Sequence, residues 1–281
     1  MISWEQFIYF AIAAVLLWAV GAWAAWREKT TMAYTSTVIG LVVFFGFILM
    51  MWFSLERPPL RTMGETRLWY SFFLPLAGII VYSRWRYKWI LSFSTILALV
   101  FICINLFKPE IHSKTLMPAL QSPWFAPHVI VYMFAYAVFG VATLMAIFLL
   151  VKKNSLNSKL STLNSQLDDL VYVGLAFMTI GMLFGALWAK EAWGHYWSWD
   201  PKETWAAITW FAYLVYVHYR QIPTHQPKLA LWVLLISFVL LQMCWWGINY
   251  LPSAQGSSVH VYSFCNPPDI TIHSGSIGIP V

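Results

Sequence analysis

The chain has 281 residues, of which 60% are apolar and only 10% charged, and its mean hydropathy is +0.65. Soluble domains are close to half apolar and a quarter charged, so this composition excludes a soluble globular protein and defines an integral membrane protein. The formal charge of +6 is mostly a topology signal, and no nucleic-acid partner follows from it.

Apolar runs long enough for a bilayer, about 20 residues at roughly 1.5 Å each, recur at Gln6–Trp26, Tyr34–Phe53, Leu68–Ser83, Trp89–Phe107, Val129–Val151, Asp169–Trp188, Thr204–His218 and Leu229–Tyr250. They predict an all-α integral membrane protein of about eight transmembrane helices. The third and seventh are short and partly polar. Period-two alternation is absent, which argues against an outer-membrane barrel. Glu5 precedes the first helix, with no basic n-region and no small-residue cleavage site, so that helix reads as retained.

Between helices five and six runs KKNSLNSKLSTLNSQLDD, from Lys152 to Asp169, a polar stretch that reads as a linker between a five-helix front part and a three-helix back part. The turns after helices one, three, five and seven hold Arg27, Lys29, Arg84, Arg86, Lys88, Lys152, Lys153, Lys159, Arg220 and Lys228. The other side holds seven cations over about twice the loop length, with none beyond Tyr250. The positive-inside bias makes the ten-cation side cytoplasmic and the other side, with both termini, external.

Three cysteines bound the redox chemistry. Cys103 and Cys244 lie in predicted helices and read as small core residues, and Cys265 stands alone in the tail. No CxxC or CxxCH is present, so the chain is neither an obvious thiol-disulfide oxidoreductase nor itself a c-type cytochrome.

The most informative stretch is WAKEAWGHYWSWDPKETWAAITW, Trp188 to Trp210, which holds six tryptophans. Trp193, Trp197 and Trp199 alternate about His195, so an extended backbone would present their indoles along one edge. Asp200-Pro201-Lys202-Glu203 reads as a helix start, with Asp200 as N-cap, Pro201 at the first position and Glu203 reaching back. An interfacial aromatic belt is the simpler explanation for so many tryptophans. A capped, glycine-punctuated loop fits a platform for a flat apolar ligand better. His128, after PALQSPWFAP, and His260, after helix eight, fall on the external side beside this platform, and two neutral imidazoles either side of a metal plane are a familiar way to hold haem iron. His218, in VYVHYR near the inner end of helix seven, is costly at that depth unless paired or used. It either ligates a second haem or snorkels to the inner surface with Arg220. His112, His225 and His273 read as solvated.

The stretch WAKEAWGHYWSWDPKETWAAITWFAYLVYVHYR resembles the WWD domain of the CcsA/ResC proteins, the membrane cytochrome c synthetases of the system II pathway. LMPALQSPWFAPHVIVYMFAYAVFG resembles the segment leading to that family's first external haem-binding histidine, here His128. LDDLVYVGLAFMTIGMLFGA resembles the helix before the WWD loop, and CWWGINYLPSAQGSSVHVY resembles the last helix and second external histidine, here His260. The likeness covers roughly residues 117 to 262.

The resemblance implies a division into an N-terminal four-helix part (1–110), a haem-handling core (111–262, with the WWD loop at 188–205) and an external tail (263–281). It implies that haem b, iron-protoporphyrin IX, is held in the membrane by His218 and a histidine of a ResB/CcsB-like subunit. Haem then reaches an external site with His128 and His260 as iron ligands, the residues on which catalysis depends. Trp193, Trp197, Trp199 and Asp200, with His195 and Trp205, cradle the macrocycle. There its vinyl groups meet the thiols of a CxxCH apocytochrome c and two thioether bonds form. Lys202 or Arg67 are candidate partners of the propionates. The implied location is a bacterial inner membrane, or a thylakoid membrane for a plastid protein, with the site on the external or periplasmic face. The alternative is a haem-delivery protein of the CcmC type without ligation activity. A quinol-linked cytochrome b would need paired histidines in two helices, and a structural aromatic belt would bind no pigment.

Three features depart from the family pattern. His195 stands where relatives carry a small residue, so it is an extra ligand, a propionate contact or a filler. GETRLWYSFF replaces an Asn/Tyr/Glu-Ser type segment, and the tail beyond Tyr262 is long.

Overall fold

The computed structural model describes residues 3–108, 122–151 and 158–251, the side chains of 158–162 and 249 excepted. His260, His112, His273 and Cys265 lie outside the described residues. Eight helices follow in order: α1 Phe7–Trp26, α2 Thr30–Leu55, α3 Met63–Trp85, α4 Lys88–Phe107, α5 Phe125–Val151, α6 Ser158–Trp193, α7 Pro201–Gln221 and α8 Pro227–Trp245. Among the described residues there is no strand. Six of these helices are long and apolar enough to cross a membrane, while α3 and α7, whose apolar runs in the sequence are the short and partly polar ones, are not among the six. This is an all-α integral membrane protein, as the composition requires.

Consecutive helices pack as hairpins (α1 with α2, α3 with α4, α5 with α6, α7 with α8), and contacts of α3 and α8 with α5 and of α1 with α4 join them. Helix α5 is the hub, since 67% of its most apolar stretch is buried against 28–39% in the other five apolar helices. Their outward faces carry Ile12, Leu16, Val42, Ile96, Leu183 and Val239. Such faces cost nothing against lipid, whose tails are as apolar as leucine.

Several helices begin earlier than apolarity predicts, and in α3, α5 and α6 the shift bears on the site or the packing. Helix α3 starts at Met63 because Thr62 and Glu65 form a reciprocal capping box. The GETR residues are therefore helical and not loop, and Glu65, Thr66 and Arg67 are buried. Helix α5 starts at Phe125, so His128 sits in its first turn instead of ahead of it. Helix α6 starts at Ser158 within the expected linker, because Leu163, Leu167 and Leu170 recur at helical spacing and all three are buried.

The cation-bearing turns are tied to one another at one end of the bundle. Lys88, the first residue of α4, pairs with Glu28, between α1 and α2. Tyr87 donates its hydroxyl to Gln166 Oε1 on α6 (2.5 Å). Arg220, at the end of α7, holds Asp168 on α6 through Nε and Nη2 at 2.6–3.1 Å, and Tyr216 donates to the same carboxylate at 2.7 Å. His225 is not simply solvated: Arg220 donates to its Nε2 (2.6 Å) and its Nδ1 donates to Ile222 O (2.7 Å).

The α5–α6 seam sets the register of the other end. A Cβ on Gly174, Gly181 or Gly185 would come within 2.6–2.8 Å of the rings of Phe139, Tyr132 and His128 respectively. Glycines seven and four residues apart on one face of α6 thus receive three aromatic rings that recur, in the opposite direction, on α5. Small residues let helices approach closely where lipid supplies no driving force for association.

Candidate functional site

The seam ends at His128. Its ring lies over Gly185, and its Nδ1 is 2.8 Å from the carbonyl oxygen of Gly181. A carbonyl only accepts, so Nδ1 carries a proton, and in the neutral ring Nε2 is the nitrogen with the lone pair. Metal-binding histidines are supported in this way, one nitrogen oriented by a hydrogen bond and the other ligating. The ring is half-buried, 4.8 Å from the Tyr132 ring and 5.5 Å from the Trp188 ring.

Trp188 carries the packing from His128 to the Trp-rich segment. It is buried, with Phe125 at 5.0 Å on one side and Trp193 at 4.9 Å on the other. Trp193 closes α6 instead of opening an extended stretch. Helix α6 then stops at Gly194, whose φ of +86° is left-handed and whose N–H bonds the carbonyl of Lys190 (3.0 Å). No atom lies near its missing Cβ, so glycine is needed there for conformation and not for space. Lys190 Nζ also donates to Gly194 O (2.8 Å) and lies 5.4 Å from the Tyr196 ring.

Residues 197 to 200 are held from below by α7. Asp200 is the N-cap, its Oδ1 accepting from Lys202 N (2.9 Å), with Pro201 in the first turn, as the sequence predicts. Glu203 Oε2 accepts from Ser198 N (2.7 Å), Asp200 N (3.2 Å) and the Ser198 hydroxyl (3.3 Å). Thr204 donates to Trp199 O (3.1 Å). This bracing offsets the strain of Trp199 at φ +60°, a conformation that costs a bulky residue about 1–3 kcal/mol.

The two indoles so placed stand nearly perpendicular, 85° apart at 5.7 Å, and present an edge and a face instead of one flat plane. Trp199 is 69% exposed. Trp197 is half-buried, and its indole N–H is buried without an acceptor among the described residues. A buried donor left bare costs roughly 1–3 kcal/mol, so the position suits an incoming acceptor.

The remaining predicted residues divide. Asp200 is buried, with one carboxylate oxygen committed to the cap. Trp205 is half-buried at the start of α7's second turn. His195 is exposed on the segment's surface. Arg67 is buried near the start of α3, where Arg57 grips the Glu65 carboxylate through two nitrogens at 2.9 and 3.0 Å. His218 does not join this group. It lies four turns along α7 and is exposed on an outward face with Ile208, Phe211, Val215 and Ile222. His128 and His218 therefore occupy opposite ends of the bundle, and the paired intrahelical histidines of a cytochrome b are not formed by these two. Trp188, Gly181 and Gly185 were not singled out in the sequence, although the glycine spacing on α6 was there to be read.

Residues 63–254, more than half of the chain, match the family model described as cytochrome C assembly protein. The chain is also similar to proteins described as "Cytochrome c biogenesis protein CcsA". That of Chlamydomonas reinhardtii is 36% identical over 59% of this chain and 48% of its own length. That of Solanum tuberosum is 33% identical over 84% of this chain and 88% of its own. That of a Synechococcus strain is 28% identical over 94% and 96%. The chain belongs to the cytochrome c assembly protein family, and within it to the CcsA-type cytochrome c biogenesis proteins.

Its role is accordingly in cytochrome c biogenesis, in a membrane. The likeness reaches beyond the Trp-rich segment to the first four helices, where the sequence alone resembled its family more loosely.

Proposed function

We propose that this protein is a cytochrome c synthetase subunit that holds haem b against the Trp-rich segment, with His128 and His260 as iron ligands. The observation that carries this is the His128–Gly181 hydrogen bond, which orients the ring and makes Nε2 the ligating nitrogen of the neutral imidazole. The packed path from His128 through Trp188 to Trp193, and the unanswered N–H of Trp197, support it.

Haem is the substrate of this reaction, and the apocytochrome CxxCH supplies the nucleophiles. Each thiol adds across a vinyl group: the sulfur bonds to the inner carbon, the proton ends on the terminal carbon, and nothing is oxidised or released. The protein has only to hold the vinyl groups where the thiols arrive, which replaces a bimolecular encounter by an intramolecular one. Lys202 and Arg67 remain candidates for the propionates. The N-terminal helices 1–110 serve as scaffold for the haem-handling core.

His218 faces away from this chain, and a histidine on an apolar outward face is costly against lipid. That exposure supports a partner histidine from a ResB/CcsB-like subunit docked on α7, the pair holding haem before it reaches the outer site. In this reading the cation-rich end is cytoplasmic and the Trp-rich segment is external, in a bacterial inner or a thylakoid membrane.

The test is an absorption spectrum of the detergent-purified protein, co-expressed with a ResB-like partner and a CxxCH apocytochrome. The wild type is compared with the His128→Ala, His260→Ala double variant. A reduced bis-imidazole spectrum that weakens in the variant, with loss of covalent haem on the cytochrome and partial rescue by imidazole, is the expected result. A colourless wild type under adequate haem supply overturns the proposal. Haem bound normally without covalent product moves the reading to a CcmC-type delivery protein. His218→Ala should lower total haem.

A further inference from the structure

At the cation-rich end, α3 and α6 both pack on α5 without packing along each other. The gap is a cavity of about 290 Å³. Its walls are Ala77, Ile80 and Val81 of α3, Phe134 and Val138 of α5, and Val173 of α6, all apolar. The deep end is closed by Phe134, whose ring touches Phe73 (5.7 Å) and Phe177 (4.6 Å).

The mouth differs in kind. It is lined by Arg84, Trp85 and Asp169, and both charged residues are exposed. Neither is in an ion pair with any described residue, the three pairs there being Arg57–Glu65, Lys88–Glu28 and Arg220–Asp168. From Ala77 to Trp85 the α3 wall runs about 12 Å at roughly 1.5 Å per residue. The cavity is thus a slot with a polar, doubly charged rim and an apolar floor, half open to the side of the bundle.

We propose that this slot binds one aminophospholipid, with an acyl chain along Ile80, Val138 and Val173, the phosphate at Arg84 and the ammonium at Asp169. A cation and an anion lining the same rim complement a zwitterionic headgroup, and Trp85 stands where indoles prefer the headgroup level. Haem does not suit the slot: its walls hold no His, Cys, Met or Tyr, and Asp169, the sole carboxylate, is at the rim. The lipid completes the contact that α3 and α6 do not make, and so couples the front helices to the α6–α7 unit. This inference is independent of the haem reading above.

The experiment is native mass spectrometry of the full chain in mild detergent, titrated with dioleoylphosphatidylethanolamine, dioleoylphosphatidylglycerol or inorganic phosphate. One tight phosphatidylethanolamine adduct is expected, about fivefold preferred over phosphatidylglycerol. Arg84→Gln should weaken both lipids about tenfold, Asp169→Asn should abolish the preference, and Val173→Phe should fill the slot and remove the adduct without changing charge. Where Val173→Phe fails to fold, the two surface substitutions decide the matter. Lipid binding unaltered by Arg84→Gln and Asp169→Asn, inorganic phosphate binding as well as lipid, or the absence of any one-to-one adduct would each overturn the proposal.

Discussion

His128 Nδ1 donates to the carbonyl oxygen of Gly181 across 2.8 Å, and the His128 ring fills the space that a side chain on Gly185 would need. A Cβ there would lie 2.8 Å from both Cε1 and Nδ1. Gly185→Ala should therefore push the ring off the Gly181 carbonyl and free its tautomer. Disturbing the partner that orients a metal-binding histidine typically lowers metal affinity or activity about 10–100-fold. Haem retained per mole of purified Gly185→Ala protein should fall by about tenfold while circular dichroism still reports the helices. Full haem content would separate His128 orientation from haem binding.

Gly174→Ala provides the matched comparison. Its Cβ would meet the Phe139 ring at 2.7–3.0 Å, the same clash about three turns from His128. Phe139 stacks on Tyr213 at 3.7 Å, so the strain spreads into α7. Overpacking of this kind costs about 1–3 kcal/mol. The variant should denature several degrees lower yet retain haem in proportion to the folded protein. A haem loss equal to that of Gly185→Ala would show the seam acting only through stability.

Glu203 holds the Trp-rich segment by accepting from Ser198 N, Ser198 Oγ and Asp200 N. Removing a capping side chain costs about 1 kcal/mol, and hydrogen bonds to a charged group are worth about 1.5–3 kcal/mol. Glu203→Ala should leave α7 helical while the backbone of residues 194–200 loosens. Limited proteolysis should then cut within that segment at least several-fold faster than in wild type, and haem retention should fall with it. An unchanged cleavage rate would mean that the aromatic contacts alone hold the segment.

These contacts explain how much of the molecule the sequence made legible. All eight helices and the Asp200 cap could be read because each depends on local pattern: an apolar run, or Asp-Pro followed by Glu. The starts of α3 and α6 lie where polar residues lead into the helix, Thr62 and Glu65 in one case and, in the other, the Ser- and Asn-rich stretch whose buried face is only Leu163, Leu167 and Leu170. Apolarity hides a capping box and a half-buried polar turn alike. Within the site, His128 and the tryptophans stood out by residue type. Gly181 and Trp188 did not, because their roles come from register between α5 and α6, which no single helix encodes. Likewise His218 was legible as an ionisable group at an unusual depth, but its outward orientation required the packing of α7.

At the other end, Asp168 receives Arg220 through two nitrogens and Tyr216 through its hydroxyl, joining α6 to α7 below His218. The pair is partly exposed, with side-chain exposures of 12% and 17%. Solvent screening therefore limits the coupling to about 1 kcal/mol. A double-mutant cycle on Asp168→Asn and Arg220→Gln, followed by thermal denaturation in detergent, should return a coupling of that size that shrinks in high salt. Additive single effects would mean that Tyr216 alone carries the link.

The tethers Glu28–Lys88, Tyr87–Gln166 and Asp168–Arg220 place four turns at one end of the bundle, opposite the Trp-rich segment. The positive-inside bias then gives that end to the cytoplasm. In a Cys265→Ser background, single cysteines at Glu5, Ser165, Tyr196 and Thr224, all exposed positions, report the arrangement. A membrane-impermeant maleimide added to intact spheroplasts should label Glu5→Cys and Tyr196→Cys, and reach Ser165→Cys and Thr224→Cys only after permeabilisation. The reverse pattern would put the Trp-rich segment inside and sink the external haem site. A pattern that split Ser165 from Thr224 would contradict the bundle itself, because Asp168 and Arg220 could not then meet.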